Sequence, residues 1–172
     1  MIILFALLYV IVTTSEVGAW GEEGHRGIAE AVQGLLTTST AKSIAKIVGT
    51  GNDLPPGTLA RLSVWPDQIR ALTKNPHATI PGFSPAEMEE AKQFVAIHPD
   101  NTNWHFVDLP PGVAHYPDLA HPDPADPALP FTNTTDVVHM IHQSVDILEG
   151  RTDSAPFTKL QALRWLLHLS ED

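Results

Sequence analysis

The sequence predicts an all-α, mainly helical single domain with long ordered loops. Three observations carry that prediction: apolar residues recur at helical spacing, several stretches carry helix start or stop signals, and no alternating pair of strands can be found. Composition narrows it further. Hydrophobic residues make up 43% of 172, enough for a sizeable core, which excludes a disordered acidic tail. The 20 acidic and 10 basic side chains give a net charge of -10, which excludes a nucleic-acid binder working by surface charge. The Lys and Arg residues form no cluster along the chain. With 0 Cys, no disulfide framework, zinc finger or thiol nucleophile is available. The 9 His and many carboxylates are instead the raw material of a nitrogen and oxygen metal site.

Residues 1–12 form an almost unbroken apolar run, and the small residues Val17-Gly18-Ala19 follow. Such a run is too short for a spanning anchor, and the small residues suit a signal peptidase. Residues 1–19 therefore read as an export signal, so that the mature chain starts at Trp20 and is secreted or periplasmic. The usual basic start of such a signal is missing, and an uncleaved membrane tether or a misplaced start codon is the alternative.

Beyond the signal, Ile28, Ala29, Val32, Leu35 and Leu36 recur at helical spacing, and after Thr37-Thr38 the pattern restarts with Ala41, Ile44, Ala45 and Ile47. Gly49-Thr50-Gly51 stops this helix pair. A Pro55-Pro56-Gly57 turn leads to Leu59, Leu62, Trp65 and Ile69, a helix in which Pro66 disturbs one turn. Ser84-Pro85-Ala86-Glu87 has the form of a capped helix start. Residues 110–130 are rich in Pro, Asp and His without periodicity, a long ordered loop. Asp136 caps a helix that Gly150 ends, and Ser154-Ala155-Pro156 opens the last one. The apolar stripe of that helix runs to Leu169 and the chain stops at Asp172 without a C-cap, which reads as a domain incomplete at its C-terminus. His77, His98, His115 and His121 fall in Pro-rich or polar loops and read as solvated; His139 and His142 share one helix.

His168 and Asp172 stand at i and i+4, the spacing that lets one helix offer two ligands to one ion. An exposed pair of this kind is commonly a surface interaction only, but Leu166, Leu167 and Leu169 leave this one little solvent. Asp67 and His105 sit close behind Trp65 and Trp104 among apolar residues, so their polar groups turn inward and need partners. Together these are two imidazoles and two carboxylates, a reasonable zinc set. A free α-amine at Trp20 is readily deprotonated by a metal, and with its own carbonyl closes a five-membered chelate. Gly21 and Gly24 let the backbone fold back towards His25.

Taken in order, Trp20-Gly-x-x-Gly-His25-Arg26, Trp65-x-Asp67-x-x-Arg70, Trp104-His105-Phe106-Val107-Asp108 and His168-x-x-x-Asp172 resemble the zinc-dependent single-strand-specific nucleases of the S1/P1 family, part of the phospholipase C/nuclease superfamily. The resemblance covers residues 20–172. It implies a mainly helical domain with three zinc ions in a cleft, cleaving phosphodiesters of single-stranded DNA and RNA to 5′-phosphates, with 3′-nucleotidase activity in many members. Residue by residue, it implies Asp67, His105, His168 and Asp172 as ligands of one zinc. Trp20 through its amine and carbonyl, His25 and a shared Asp172 match a second. Asp172 would then bridge two ions and hold the attacking water. Arg70 matches a position suited to structural support or charge stabilisation, and Asp108 one that orients a ligand or the water; Asp67, Arg70, Asp108 and Asp172 form the catalytic set.

Two departures qualify the match. The family's ligands for the remaining zinc lie beyond His-x-x-x-Asp and are missing here, so the chain supports at most two metal sites. Glu171 stands where the family usually has Gly, an extra carboxylate beside the ligand. The expectation is an exported, monomeric, zinc-dependent endonuclease whose substrates are single-stranded nucleic acid or nucleotides, with no stable membrane association once the signal is removed. The alternatives are a non-catalytic zinc-binding fragment and a zinc phospholipase C.

Overall fold

The computed structural model describes residues 21–113, 115–118, 121–152 and 155–171. The expected signal, Trp20, Ser154 and Asp172 lie outside the described residues. Among the described residues the chain folds into helices, two 3-10 turns and loops, without a strand. No described helix is long and apolar enough to cross a membrane.

The first two helices are α1, Glu22–Leu35, and α2, Thr38–Val48. Glu22 and Glu23 place negative charge on the positive end of α1, and the buried positions His25 and Ala29 are one turn apart. Thr37 caps α2 by accepting from the Thr40 N–H at 3.2 Å. Gly49 ends it at φ 84, a left-handed conformation that a side chain would strain.

The stretch after Pro55-Pro56-Gly57 forms two helices, α3 at Thr58–Ser63 and α4 at Trp65–Lys74, where one disturbed helix was expected. Pro66 lacks the N–H that would continue the ladder, so it is tolerated only in the first turn of a new helix. The break at Val64 leaves the Ser63 carbonyl at a helix end, available to a side chain.

Helix α5, Pro85–Ile97, starts with the expected capping box: Ser84 Oγ accepts from the Glu87 N–H at 3.2 Å, and Glu87 Oε2 accepts from the Ser84 N–H at 2.9 Å. Short 3-10 turns at Asn101–Asn103 and Leu129–Phe131 flank the Pro-rich loop. Asp136 caps α6, Val137–Glu149, and Gly150 closes it at φ 72. The last helix, α7, is Lys159–Leu169, and its cap is Thr158 with Gln161, about one turn's worth of chain after the start expected at Ser154-Ala155-Pro156. Thr158 wins because Gln161 reaches back to its N–H at 2.9 Å, satisfying both orphan donors.

Helix α7 is the centre of the domain. It packs along α6 and also meets α3, α4 and α2. One side joins a core of Trp65, Ile69, Phe94, Trp104 and Trp165, the other a core of Ala29, Ile44, Leu59, Leu62 and Leu163. A helix buried on several sides has little solvent-facing surface, so any polar residue it carries must find a partner inside. Gln161, Arg164 and His168 are those residues.

Candidate metal centre

Four elements bring the polar groups together. His25 enters from the first turns of α1, Asp67 from the first turn of α4, His168 from the last turn of α7, and His105 from the loop after the first 3-10 turn. His25 and His168 are fully buried, His105 is 7% exposed, and the Asp67 side chain keeps 23% open to solvent. Trp104, beneath His105, is buried among Phe94, Phe157 and Trp165, so the loop is pinned by its own aromatic neighbour. The Phe106 carbonyl further ties the loop to α6 by accepting from the Val137 N–H at 3.3 Å.

The geometry converges on Asp67. Its Oδ2 lies 3.9 Å from His25 Nε2 and its Oδ1 lies 3.9 Å from His168 Nε2, both too long for hydrogen bonds. One atom from each of His25, Asp67 and His168 can be chosen so that all lie within 4.8 Å of one another. Ligand atoms around a tetrahedral zinc, each about 2.0–2.1 Å from the ion, are spaced by roughly 3.4 Å. A small inward adjustment would therefore suffice. His105 Nδ1 is 3.1 Å from His168 Nε2, with the two rings at 88°.

Ring orientation tests whether these groups fit a cation. His168 Nδ1–H donates to the Ser63 carbonyl at 2.7 Å, which leaves the Nε2 lone pair facing Asp67 and His105. His25 Nδ1–H donates to Glu171 Oε2 at 2.9 Å, turning its Nε2 towards Asp67. Two imidazole lone pairs and a carboxylate thus face one another, and the outer nitrogen of each ring is held by a second oxygen. That is the donor set and the supporting set of a metal-binding histidine site. With His168 in this tautomer, His105 Nδ1 is the donor between the two rings, so His105 must give up that contact before its Nδ1 can ligate.

The surroundings are anionic. Glu171 is 4% exposed and adds a second carboxylate near His25, a field that a dication would neutralise. Arg70 opposes that charge, donating to Asp67 Oδ1 at 3.1 Å. Of the eight residues expected at the site, the structure brings together His25, Asp67, His105, His168 and Arg70. Asp108 is exposed and stands outside the group. Trp20 and Asp172 lie outside the described residues, so the N-terminal chelate and the bridging carboxylate are not among the observed contacts.

The Ser63 carbonyl has no signature in the sequence, because it is backbone; its only herald is Pro66, which forces the break behind it. Phe106 also went unread as a site residue. It is 56% exposed beside His105, with ring centroids 5.9 Å apart, a large aromatic face left uncovered at the edge of the centre.

A helical domain that buries two imidazoles around a carboxylate, with the outer nitrogen of each ring held from behind, presents a nitrogen and oxygen donor set that could hold a metal ion. The family follows from the sequence as a whole. The family model for S1/P1 Nuclease matches residues 20–172, and the chain belongs to that family. Comparison with curated proteins and with solved structures found no significant match. The protein is accordingly a nuclease, a hydrolase of phosphodiester bonds with a nucleic-acid substrate, in a family that depends on zinc.

Proposed function

We propose that this chain is an exported zinc-dependent endonuclease that cuts single-stranded DNA and RNA to 5′-phosphate products and also removes 3′-phosphates from nucleotides. The observation that carries the reading is the convergence of His25 Nε2, His168 Nε2 and the Asp67 carboxylate, with Ser63 and Glu171 holding the rings from behind. When bound there, zinc supplies Lewis acidity: it lowers the pKa of a water and neutralises charge developing on the phosphoryl group. The chain's own residues do the rest. His25 and His168 present their Nε2 atoms in an orientation held from behind by Glu171 and the Ser63 carbonyl. Asp67, partly open to solvent, presents a carboxylate at the site's mouth. Arg70, 39% exposed and bonded to that carboxylate, offers further donors to a phosphate oxygen.

A 5′-phosphate product requires that the bond between phosphorus and the 3′ oxygen breaks. The water oxygen joins phosphorus, and the 3′ oxygen leaves carrying a proton. Phe106 supports the preference for single strands: an exposed aromatic face stacks an unpaired base, and a duplex hides its base faces. Trp20 and Asp172 complete the proposed ligand set, and removal of residues 1–19 generates the amine at Trp20.

The test is a zinc-loaded sample of the chain offered single-stranded DNA, single-stranded RNA, duplex DNA and phosphatidylcholine vesicles. Cleavage of both single strands with 5′-phosphate ends is expected. Cleavage of lipid alone, or stoichiometric zinc with no phosphodiester cleavage, would overturn the reading in favour of a phospholipase or a non-catalytic metal protein. Export is checked separately by N-terminal sequencing of protein from a secreting host. Trp20 should be the first residue, and retention of residues 1–19 would sink that part.

A further inference from the structure

Three of the five arginines, Arg26, Arg61 and Arg164, come together in a place that their spacing along the chain does not reveal. They line a cavity of about 200 Å³, with Trp65, Gln68 and Phe83 among its other walls. The chain as a whole carries a net charge of -10, so a wall of three guanidinium groups is a local inversion of sign. One carboxylate, Glu87, shares the lining, and it is already engaged: Arg61 donates to its Oε1 at 2.7 Å and the Ser84 N–H to its Oε2 at 2.9 Å. Arg26 pairs with Glu22 at 3.3 Å, and both are partly exposed, so that pair is a weak competitor for the charge.

Arg164 is the unusual member. Its side chain is 3% exposed, its guanidinium lies 4.6 Å over the Trp65 ring, and one terminal nitrogen donates to Glu90 at 2.8 Å. Among the described residues its Nε finds no hydrogen-bond partner. A buried guanidinium donor left unsatisfied is costly, and a second guanidinium nearby adds repulsion. Burial does disfavour the charged form of Arg164, Glu90 opposes that effect, and the charge of Arg61 adds to it. An anion with several acceptor oxygens would relieve both costs, and the fork of an arginine matches phosphate better than any other side chain does.

Three of the helices that wall the cavity also carry metal-centre residues. Arg26 follows His25 on α1, Gln68 follows Asp67 on α4, and Arg164 precedes His168 by four residues on α7. Four residues of helix rise about 6 Å, so Arg164 and His168 stand on one face of α7 a single turn apart. Arg61 is 56% exposed and opens the cavity to solvent. We infer that this cavity holds a phosphate of the bound nucleic-acid strand, one other than the phosphate being cleaved, through Arg61, Arg164 and Arg26. The inference rests on the nuclease reading for the identity of the strand, but not for the phosphate chemistry.

The test uses the zinc-free full chain, so that no cleavage intervenes, and a fluorescein-labelled ten-nucleotide oligothymidylate read by anisotropy at several salt concentrations. Arg61→Gln should weaken binding about tenfold and make the slope of log affinity against log salt shallower by about 0.7, the loss of one phosphate contact on a single strand. Arg26→Gln should act in the same direction. Arg151→Gln, far from this cavity in a pair with Asp146 and Glu149, should change nothing. Circular dichroism of each variant checks that the fold is kept. Wild-type affinity and slope in both Arg61→Gln and Arg26→Gln would overturn the inference, as would failure of the wild type to bind the oligonucleotide. Inorganic phosphate is the second arm: if Arg61→Gln weakens its binding and leaves the oligonucleotide untouched, the cavity takes free phosphate and the strand contact is wrong. Single-strand cleavage by the zinc-loaded wild type is scored independently. Binding that depends on Arg61 without any cleavage sinks the nuclease reading and keeps the cavity; cleavage with no Arg61 dependence does the reverse.

Discussion

Of the places where this molecule puts histidine beside a carboxylate, two are built on opposite principles. At the start of α6, Asp136 Oδ1 accepts from the His139 N–H at 3.0 Å, while its Oδ2 accepts from the Tyr116 hydroxyl at 2.7 Å and from the Asn133 N–H at 3.0 Å. His139 Nδ1 lies 2.7 Å from the same hydroxyl. Burial pushes the Asp136 carboxyl up, but the N–H groups and the Tyr116 hydroxyl outweigh it and hold it below the usual range. Burial and the neighbouring carboxylate push the Tyr116 hydroxyl upward, so it remains a donor. Donors and acceptors there match, and the result is a helix cap. Around Asp67, by contrast, the carboxylate and two imidazole nitrogens face each other across 3.9 Å gaps that no hydrogen bond closes. Three donor atoms so placed could hold a metal ion between them.

The comparison breaks most sharply on removal of the two carboxylates. Asp67→Ala should lower zinc affinity by more than about 100-fold, the upper end of what loss of a supporting residue alone costs. Asp136→Ala should leave zinc affinity at the wild-type value and destabilise the fold by about 1–2 kcal/mol through loss of the α6 cap. Chelator competition measures the first quantity and urea unfolding the second. Equal zinc affinity in Asp67→Ala would remove the metal centre from this site.

Next in size is Glu171. If its contact with His25 Nδ1 orients the ring, Glu171→Gly should weaken zinc binding by about 10–100-fold. Glu171→Gln, which keeps an acceptor oxygen and loses the charge, should fall between that variant and the wild type. Unchanged affinity in Glu171→Gly would make the carboxylate incidental to the site.

Much of the site could be read from the chain because the same features that bury a helix also expose its anomalies. His168 among leucines and Asp67 and His105 behind tryptophans stood out as polar groups with apolar neighbours, and the fold brings them together, with His168 and His105 buried and Asp67 partly open. The helices were legible where the cap is written in side chains, as with Ser84 and Glu87 or Asp136 and Gly150. Three features escaped, each for a physical reason. The start of α7 was expected at Ser154-Ala155-Pro156 and falls instead at Thr158, because Gln161 reaches back to its N–H, a contact that no local composition signals. The Ser63 carbonyl is backbone and bears no residue signature. Arg26, Arg61 and Arg164 come from three helices, so their cavity exists only in three dimensions.

A smaller effect separates the two networks from the side of stability. Tyr116→Phe removes the hydroxyl that bonds Asp136 and His139, and should cost about 1 kcal/mol in urea unfolding, since Asp136 keeps its N–H donors. Zinc affinity should not move. A zinc effect of tenfold or more would mean that the α6 cap and the metal centre are coupled, and that the Phe106 to Val137 tie carries the coupling.

His98 supplies the smallest effect and a third environment for imidazole, one that is neither saturated nor convergent. Its loop neighbours are polar, which made it read as solvated, but its ring packs on Phe94, Trp104 and Phe157 with centroids 4.7, 5.3 and 6.1 Å away. Burial lowers its pKa; the Pro156 carbonyl, which accepts its N–H, and the charge of Asp100 only partly offset that. The unfolded chain therefore binds a proton at His98 at higher pH than the folded one, near the ordinary value of about 6.5. Between that pH and the lower folded pKa the unfolded state holds more protons, so stability falls as pH drops through this window. His98→Gln removes the titration. Urea unfolding of the metal-free chain at steps from pH 7.5 to 5 should show a shallower loss of stability in His98→Gln than in the wild type, with the curves parallel above pH 7. Parallel curves throughout would show that the aromatic cage leaves this imidazole as free to protonate as it is in the unfolded chain.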